Sequence, residues 1–522
     1  MMARRYCLKT FGCQMNVHDS ERMEEALQAF GWKPGAVEEA DLVIFNTCSV
    51  RDKAEQKVRS EVGKLLPLKL ERPHVVLCVA GCVAQQEGER LLSRIRHLDL
   101  VIGPDNLHEL PALVEGQMAG SPPLARTVFD VDSPQFLEAR PQVRGAAAPV
   151  SAFVTTMKGC DERCSFCIVP YTRGPERYRP AREIVEEIGR LVESGTREVV
   201  LLGQTVDSFR DAELPPPESD DPDESQFPAL LRKIAAEVPR LARLRYTSPH
   251  PRHATPSLAR AHAELDVLAH HVHLPVQSGS DRMLKRMIRR YKRAEYIERA
   301  ERLRRARPDM TLSTDIIVGF PGETDEDFEA TLELVREAGF VQAFAFKFSP
   351  RPHTPALKLA DDVPEGVKKE RLARLFEVVE AQGRAHLERL AGTRAHVLVE
   401  GESKTQAADA AHGAHGGHAA HGALAGSIGR AAGTVMLQGR TERNEIVHLE
   451  GGSPAWIGQM VPVDILRANK HSLLGRPTES ALSELSALSA LPRPAPLAPA
   501  TPSPTVFAAG RAVRSLPLLL EK

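Results

Sequence analysis

The chain has 522 residues, of which 42% are hydrophobic and 26% are charged, proportions typical of a soluble globular protein. Its formal charge of −1 gives no information about binding partners, so an enzyme acting on nucleic acid would need local basic patches. No run of residues approaches the length of an apolar membrane-spanning helix, and the N-terminus lacks the apolar stretch of a secretory signal. We therefore expect a cytoplasmic protein, whose cysteines serve as ligands or catalysts and not as disulfides.

Residues 1–120 alternate between strand-like and helix-like segments. DLVIFNTC (41–48) and HVVLCVAGC (74–82) are short apolar runs that end in Cys, and HLDLVIG (97–103) ends in Gly. Charged helical segments lie between them. This alternation predicts an α/β domain with a parallel sheet. Residues 121–149 are rich in Pro, Ala and Gly and are predicted to form a linker.

Residues 150–378 repeat the α/β pattern with six candidate strands. Six βα repeats predict a partial or full α/β barrel, with its active site at the carboxyl ends of the strands. The acidic, proline-rich segment 211–226 is predicted to be a surface loop. The candidate strands are AFVTTMKG (152–159), REVVLLGQ (197–204), RLRYTS (243–248), HVHLPVQ (271–277), TLSTDIIVGF (311–320) and AFAFKFSP (343–350).

From residue 393 to 475, short strands with glycine turns predict a small β-barrel. Residues 405–430, rich in Ala, Gly and His, interrupt this pattern. Their histidines recur every third residue, which is compatible with metal binding but favours a flexible low-complexity insert. Residues 476–522 are poor in aromatics and rich in Pro, Ala and Ser, so they are predicted to be a disordered tail. The repeating histidines are His412, His415, His418 and His421.

All eight cysteines lie in the first 167 residues, and Cys160, Cys164 and Cys167 form a C-x3-C-x2-C motif. Thiolates are soft ligands that suit iron–sulfur clusters or zinc. A cubane 4Fe–4S cluster normally takes four cysteines, so three leave one iron open to a substrate or cofactor. The alternative is a zinc knuckle that borrows a remote fourth ligand.

A second set consists of Cys13, Cys48 and Cys82, each beside small or turn residues at the end of a predicted strand. The carboxyl ends of parallel strands meet at one edge of a sheet, so these three cysteines can converge on one site. The alternative is three buried thiols that pack as small hydrophobic side chains. Cys7 and Cys78 lie inside strand-like runs and are assigned to the core.

Several long motifs resemble known proteins. The C-x3-C-x2-C motif after a first strand resembles the radical S-adenosylmethionine (SAM) superfamily over residues 150–375. KTFGCQMNVHDSE, NTCSVRDKAEQKVRSE, MKGCDERCSFCIVPYTRGPERYRP and LPVQSGSDRMLKRMIRRY resemble the methylthiotransferase family within it, and this resemblance extends from about residue 4 to 475. It implies an N-terminal cluster domain, a radical SAM barrel and a C-terminal TRAM domain that binds RNA.

The resemblance also implies ligands and cofactors. Cys13, Cys48 and Cys82 would bind an auxiliary 4Fe–4S cluster that supplies or relays sulfur. The C-x3-C-x2-C cysteines would bind the cluster that chelates SAM and cleaves it to a 5′-deoxyadenosyl radical. A second SAM molecule would donate the methyl group. The implied partners are an electron donor and a sulfur or cluster donor, and we expect a monomer.

The resemblance implies methylthiolation at C2 of N6-isopentenyladenosine next to the anticodon in tRNA. The segment NTCSVRDKAEQ favours this substrate. Two alternatives within the family are N6-threonylcarbamoyladenosine in tRNA and an aspartate of a ribosomal protein. A further alternative is a non-catalytic RNA-binding iron–sulfur protein, which the open iron position of a three-cysteine loop disfavours.

Polar and glycine residues at predicted strand ends are candidates for SAM binding. Gly residues in IIVGFPGET (316–324) permit close backbone approach to a ligand, although a plain tight turn is an equal alternative. Polar residues after a strand also serve as helix caps. The family usually has Asn where this chain has Thr205 and Asp207. The candidates are Gln204, Gln277, Ser278, Gly279, Ser280, Gly319 and Gly322.

Two basic features are candidates for RNA contact. Residues 282–307 carry 12 Lys and Arg against 3 Glu, and such a stripe can neutralise phosphates. A solvated helix face is the alternative. Arg440 and Arg443, in the predicted C-terminal barrel, are candidate phosphate contacts.

Overall fold

The computed structural model describes residues 4–49, 52–140, 148–403 and 435–489. They form an N-terminal α/β domain, a core domain built as an open half-barrel and a small C-terminal β-barrel. The predicted fold class is confirmed. None of the described helices combines the length and apolar character needed to cross a bilayer.

The N-terminal domain is a six-stranded parallel sheet in the order β2-β1-β3-β4-β5-β6, with helices on both faces. Its strands are Arg5–Phe11 (β1), Lys33–Pro34 (β2), Leu42–Thr47 (β3), Val76–Gly81 (β4), Leu100–Ile102 (β5) and Leu124–Arg126 (β6). Its helices are Gln14–Ala29 (α1), Asp52–Gly63 (α2), Leu66–Glu71 (α3), Cys82–Glu87 (α4), Glu89–Arg94 (α5) and Leu110–Met118 (α6).

The segment predicted as a linker begins with a strand. β6 pairs in parallel with β5, with Leu124 opposite Leu100 and Arg126 opposite Ile102. Three half-exposed residues at a sheet edge leave too short an apolar pattern to predict a strand. The N-terminal domain therefore extends past residue 120, and residues 141–147 of the predicted linker lie outside the described residues.

The core domain has six parallel strands in two sheets, β11-β10-β7 and β12-β13-β14. A parallel bridge between Leu244 and Leu268 joins the two sheets into one curved half-barrel. Each of the six candidate strands is present. They are Ser151–Thr155 (β7), Glu198–Leu202 (β10), Arg243–Tyr246 (β11), His271–His273 (β12), Thr311–Val318 (β13) and Gln342–Lys347 (β14), and a small antiparallel pair consists of Met157–Lys158 (β8) and Arg177–Tyr178 (β9).

Helices cover the convex face of the half-barrel. Alternate strand residues such as Val199, Leu244 and Leu312 pack against them in one large apolar core, because successive side chains of a strand point to opposite faces. The helices are Val169–Thr172 (α7), Ala181–Glu193 (α8), Phe227–Glu237 (α9), Pro256–Glu264 (α10), Asp281–Arg286 (α11), Arg293–Ala306 (α12), Asp325–Ala338 (α13) and Glu365–Leu390 (α14). The opposite, concave face is left for a ligand.

The C-terminal domain is a closed barrel in the order β15-β16-β17-β19-β18. Its strands are Arg394–Glu402 (β15), Val435–Arg440 (β16), Ile446–Gly452 (β17), Met460–Ala468 (β18) and Leu473–Pro477 (β19), followed by the helix Glu479–Ser489 (α15). The prediction of a disordered tail from residue 476 is wrong at its start, because Ala481 and Leu485 are buried in the barrel core. These two residues are spaced i, i+4 and share a helix face.

The insert 405–430, with its four repeating histidines, lies outside the described residues, as does the tail from residue 490. The segment 211–226 is described up to the start of α9 and contains no helix or strand before it, in line with the predicted loop.

Buried arginines from one short segment of the core domain hold the N-terminal domain in place. Arg173 donates to Asp19 at 2.7 Å, and Arg177 pairs with Asp105 and donates to the Asp130 carbonyl at 2.6 Å. Both arginine side chains are 4% exposed. Charge-assisted bonds between buried groups hold a fixed geometry, so the two domains are joined at a defined angle.

A second buried cluster joins the half-barrel to the C-terminal barrel. Glu198 accepts from Arg243 at 3.4 Å and from Arg245 at 2.8 Å. These arginines in turn donate to the carbonyls of Arg440 at 3.1 Å and Thr441 at 2.9 Å. Glu198 and Arg243 open their strands, so the turn 440–445 closes the amino-terminal end of the half-barrel.

Replacing Glu198 with Gln should loosen this interface. The two arginines would keep their buried charge without a carboxylate, a loss that costs about 3–5 kcal/mol in buried ion pairs. We expect amide hydrogen exchange in residues 440–445 to accelerate by roughly 100-fold. The control Glu237→Gln breaks an exposed i, i+4 pair with Lys233 and should leave exchange in this turn unchanged. Equal exchange in both variants would contradict the assigned role.

Candidate cluster and cofactor sites

Cys13, Cys48 and Cys82 lie at the carboxyl ends of β1, β3 and β4, as predicted. Cys13 caps the start of α1, Cys48 follows β3 directly and Cys82 is the first residue of α4. A Cβ atom on Gly12 would lie 2.6 Å from the Cβ of Cys48, so only glycine lets the β1 end approach β3 this closely. A hydrogen bond with Cys48 lowers the pKa of the Cys13 thiol to about 6.

Two buried asparagines hold these strand ends together. The Asn16 side chain donates to Asn46 Oδ1 at 3.1 Å, and Asn46 Nδ2 donates to the Asn16 carbonyl at 2.8 Å. Gly81 has a φ of +90°, and a Cβ atom there would lie 2.4 Å from Asn46 Oδ1. The arrangement sets the spacing between the first turn of α1 and the ends of β3 and β4.

Arg173 of the core domain contributes a charge to this N-terminal site. Burial raises the pKa of the Cys82 thiol, and the Arg173 guanidinium opposes that shift. Burial would also raise the pKa of Asp19, but Arg173 and His18 hold it at about 2. The site therefore contains a permanent ion pair supplied by both domains.

The C-x3-C-x2-C cysteines lie in the loop after β8, at the carboxyl end of the half-barrel. Thr205 Oγ1 lies 2.9 Å from Cys160 Sγ, and the Cys167 amide donates to the Cys164 carbonyl at 3.1 Å. Burial raises the pKa of the Cys160 thiol and raises that of Cys167 to about 12. Neutral thiols in this site would need deprotonation when a metal binds.

The two departures from the family pattern have separate roles. Thr205 contacts a candidate ligand, Cys160. Asp207 accepts from the His250 amide at 2.7 Å. This hydrogen bond holds the loop after β10 to the loop after β11. Burial raises the pKa of Asp207 to about 7.

Arg289 contacts the C-x3-C-x2-C triad. Its Nη1 donates to Cys164 Sγ at 3.2 Å and its Nη2 to the Pro275 carbonyl at 2.8 Å. Its Nε donates to the hydroxyl of Tyr291 at 3.0 Å. The side chain is buried, so this guanidinium is fixed against the sulfur by three acceptors.

Both triads fit iron–sulfur ligation by their chemistry. Each offers three thiols and a buried arginine, and polar atoms at both sites have no hydrogen-bond partner among the described residues, including Thr47 Oγ1, Ser49 Oγ and Gln204 Nε2. No three His, Cys, Asp or Glu side chains in the described ranges are already grouped as for a single metal ion. A cubane cluster presents separate irons to its cysteines and does not require that grouping.

The glycine turn predicted for SAM binding is engaged within the protein. The Gly319 amide donates to Glu323 Oε2 at 2.7 Å and the Gly322 amide to Asp362 Oδ1 at 2.6 Å. Both glycines have positive φ, and a Cβ atom on Gly319 would lie 2.3 Å from Lys368. The turn therefore needs these glycines for its own packing.

Three further candidates link β12 to α11 and α13. The Gly279 amide donates to Thr331 Oγ1 at 3.0 Å, and Ser278 Oγ lies 3.4 Å from the same hydroxyl. Ser280 caps α11 and donates to Asp327. These polar groups serve helix capping and packing, which is the alternative to SAM binding that the sequence left open for them.

Of the two remaining candidates, Gln204 has a polar group at the cluster loop, and Gln277 is notable for its backbone conformation. Gln277 has a positive φ of 77°, which is uncommon outside glycine and marks a constrained position. Gln204 Oε1 accepts from the Gly159 amide at 2.5 Å, next to Cys160. Its Nε2 is buried without a partner among the described residues, so a ligand at the loop could take that donor.

The basic stripe 282–307 is largely paired within the protein. The arginines of α12 donate to carboxylates or carbonyls, as Arg299 does to Asp223 at 3.4 Å. Arg307, which follows α12, donates to the His262 carbonyl at 2.7 Å. Arg443 lies 3.0 Å from Glu445 and Arg440 lies 3.3 Å from Glu400. These groups stabilise the domains and their junction, so the structure gives no support to their predicted phosphate contacts.

Sequence reasoning missed the buried arginines and asparagines around both triads. Arg173 follows Cys167 by six residues, and Asn16 and Asn46 each lie within three residues of a predicted ligand. A short spacing from a cysteine was a usable signal for these three. Arg289 lies 122 residues after Cys167, and only the fold brings it to the sulfur.

Comparisons with known proteins define the class of the chain. Residues 154–335 match the model of the Radical SAM superfamily, residues 5–103 match Uncharacterized protein family UPF0004 and residues 435–478 match the TRAM domain. With the half-barrel and the cysteine loop at its carboxyl end, these matches define a radical SAM enzyme. The superfamily implies a 4Fe–4S cluster and SAM.

Whole-chain relatives define the family more closely. The chain is 60% identical over 489 residues to the tRNA-2-methylthio-N(6)-dimethylallyladenosine synthase of Sorangium cellulosum, covering 91% of this chain and 94% of the relative. It is 43% identical over 473 residues to the protein of the same name from Acidithiobacillus ferrooxidans, covering 90% and 96%. The chain belongs to the tRNA-2-methylthio-N(6)-dimethylallyladenosine synthase family, which confirms the methylthiotransferase resemblance.

One solved structure aligns with part of the chain. The radical S-adenosylmethionine methyltransferase TsrM from Kitasatospora setae, with cobalamin and a [4Fe-4S] cluster bound, aligns with a TM-score of 0.46 at 14% identity. The alignment covers 75% of this chain and 79% of that chain.

Replacing Arg289 with Gln should destabilise the core domain. Cys164, the Pro275 carbonyl and Tyr291 would lose a buried charged donor, a loss of about 2–4 kcal/mol. We expect a lower unfolding temperature and less iron retained after reconstitution. The control Arg290→Gln changes the neighbouring arginine, whose side chain is 45% exposed, and should match the wild type within about 0.5 kcal/mol. Wild-type iron content and unfolding temperature in Arg289→Gln would refute the contact.

Proposed function

We propose that this chain attaches a methylthio group to C2 of N6-isopentenyladenosine next to the anticodon in tRNA. The observation that carries the proposal is a second cysteine triad, Cys13, Cys48 and Cys82, at the strand ends of a separate N-terminal domain. That domain is attached to a radical SAM half-barrel, which is followed by a TRAM domain. A radical SAM enzyme that only cleaves SAM needs one triad. The names of whole-chain relatives at 60% and 43% identity support the same reaction.

In this proposal Cys160, Cys164 and Cys167 hold one 4Fe–4S cluster, with Arg289 donating to its ligand Cys164. When bound, that cluster with SAM supplies the radical chemistry, while the protein supplies orientation and electrostatics. Cys13, Cys48 and Cys82 hold an auxiliary cluster that supplies or relays sulfur. Arg173 sets the charge beside those thiols and ties them to the core domain.

The substrate assignment also has a physical basis. A base inside a stacked helix is out of reach of a buried site, whereas a base of a single-stranded loop can be splayed out and held by stacking. An adenosine of the anticodon loop meets this requirement. An electron donor, a sulfur or cluster donor and a monomeric enzyme remain predictions.

The two-cluster proposal can be tested by counting iron. Anaerobically reconstituted wild type should hold about eight irons, four per cubane. Replacing Cys160, Cys164 and Cys167 with Ala should leave about half, and the reciprocal replacement of Cys13, Cys48 and Cys82 should leave the other half. Cys7→Ala, in a strand and outside both triads, is the control and should keep all the iron. Complete loss of iron from either triple variant, with secondary structure intact by circular dichroism, would argue against two independent clusters.

The substrate proposal calls for a comparison of three acceptors. We expect methylthiolation of tRNA bearing isopentenyladenosine and much slower reaction of the same tRNA with plain adenosine, because the apolar substituent can be recognised by burial. The measurement is mass spectrometry of digested nucleosides. tRNA bearing threonylcarbamoyladenosine and ribosomal protein serve as the competing substrates. Faster turnover of either competitor would reject the assignment while leaving the radical chemistry intact.

A further inference from the structure

Two phenylalanines are exposed on the concave face of the half-barrel. Along β14, Ala343 is buried against the covering helices, and the next residue, Phe344, points the other way. Phe344 is 43% exposed and Phe346 is 42% exposed. Full burial of such a side chain contributes roughly 1.5–3 kcal/mol of stabilisation. Because both rings are only partly buried within the described chain, a ligand that covers them would gain part of this free energy.

A polar edge runs beside these two rings. His273 of β12 meets Phe344 edge to face, with ring centroids 5.7 Å apart. Its Nδ1 lies 2.9 Å from Ser313 Oγ and its Nε2 lies 3.3 Å from Asp315 Oδ1. Both His273 and Asp315 keep part of their side chains exposed. The concave face thus offers flat apolar surface next to hydrogen-bonding groups.

The same strand leads to the cysteine loop. Residues two apart in a strand lie on the same face and about 7 Å apart. Phe346 therefore lies about 7 Å from Phe348, on the side away from the carboxyl end of the strand. Phe348 packs against Phe320, with ring centroids 5.0 Å apart, and belongs to a cluster that includes Phe166. Phe166 lies between Cys164 and Cys167. A ligand on Phe344 and Phe346 would therefore lie close beneath the loop that holds the radical-forming site.

We propose that Phe344 and Phe346 form a stacking shelf for the substrate adenine and its apolar N6 substituent, with His273 and Asp315 along the polar edge of the base. This inference rests on the proposed function. A base presents a flat π face that stacks on aromatic side chains, and its edges carry hydrogen-bonding groups. A branched hydrocarbon substituent extends the apolar area, which matches a shelf of two rings.

The shelf also accounts for a preference between modified and plain adenosine. Stacking is tolerant of base identity, so both would bind, but only the isopentenyl form adds apolar area over the second ring. The ring that contacts the substituent should therefore affect the preference more than the ring under the base. A polar threonylcarbamoyl substituent would gain little from this surface.

The test uses Phe344→Ala and Phe346→Ala in the reconstituted full chain, with Phe376→Ala as the control. Phe376 is 37% exposed on α14, away from the concave face. The substrates are two anticodon stem-loop RNAs, one with isopentenyladenosine and one with adenosine. We expect each shelf variant to lose roughly 10- to 100-fold in kcat/KM on the modified RNA. At least one variant should lose less on the plain RNA, so that the preference shrinks. Phe376→Ala should stay within about twofold of wild type.

Folding is checked by iron content and unfolding temperature. Where an Ala variant falls below wild type in either, Phe344→Leu and Phe346→Leu replace it, because they keep most of the apolar volume but lose the ring face. Reduced affinity of a Leu variant for the modified RNA, measured by filter binding, supports the shelf. Unchanged affinity in both Leu variants overturns it.

The outcomes separate the shelf from the function on which it rests. No methylthiolation of either RNA by wild type would reject the proposed function itself. Methylthiolation by wild type with unchanged kcat/KM in both Ala variants would reject the shelf alone. A change in oligomeric state of the Ala variants, with kcat/KM unchanged, would assign the two rings to a contact between copies and would also overturn the proposal.

Discussion

Buried guanidinium groups paired across domain boundaries are the interactions on which the architecture depends. Arg173 and Arg177 reach from the core domain to Asp19 and Asp105 of the N-terminal domain. Arg243 and Arg245 share Glu198 and reach the C-terminal turn. A charge removed from water is stable only with well-placed partners, so each pair permits one docking geometry. The two cysteine triads can cooperate only if that geometry holds.

The half-barrel shows how one fold serves two purposes on opposite faces. Its convex face is a continuous apolar core under helices, which stabilises the domain. Its concave face carries Phe344, His273 and Asp315, none of which belongs to that core. Strand alternation separates the two sets without any irregularity. The amino-terminal end is closed by the C-terminal turn, so ligands are confined to the carboxyl end and the open side.

The C-terminal barrel, which matches the TRAM domain, also stabilises the core domain. Its turn 440–445 supplies carbonyl acceptors to the core arginines, and Arg443 pairs with Asp309 at 3.5 Å. The arginines that appeared suited to phosphates are therefore partly used inside the protein.

The sequence by itself determined the fold class, the six core strands and the positions of both triads at strand ends. These depend on local patterns: apolar runs of strand length, helix periodicity and cysteine spacing. It also identified Thr205 as a departure from the family pattern, although it did not predict the contact of Thr205 with Cys160.

Only the tertiary structure decided the rest. It placed Arg289 next to Cys164. It showed that Ser280 caps a helix, that Ser278 and Gly279 contact Thr331, and that most of the basic stripe is paired within the protein. It added β6 to the sheet and packed Ala481 and Leu485 under the C-terminal barrel. The physical reason is that hydrogen bonds and burial join residues far apart in the chain, and no local pattern encodes which distant partner a charged side chain meets.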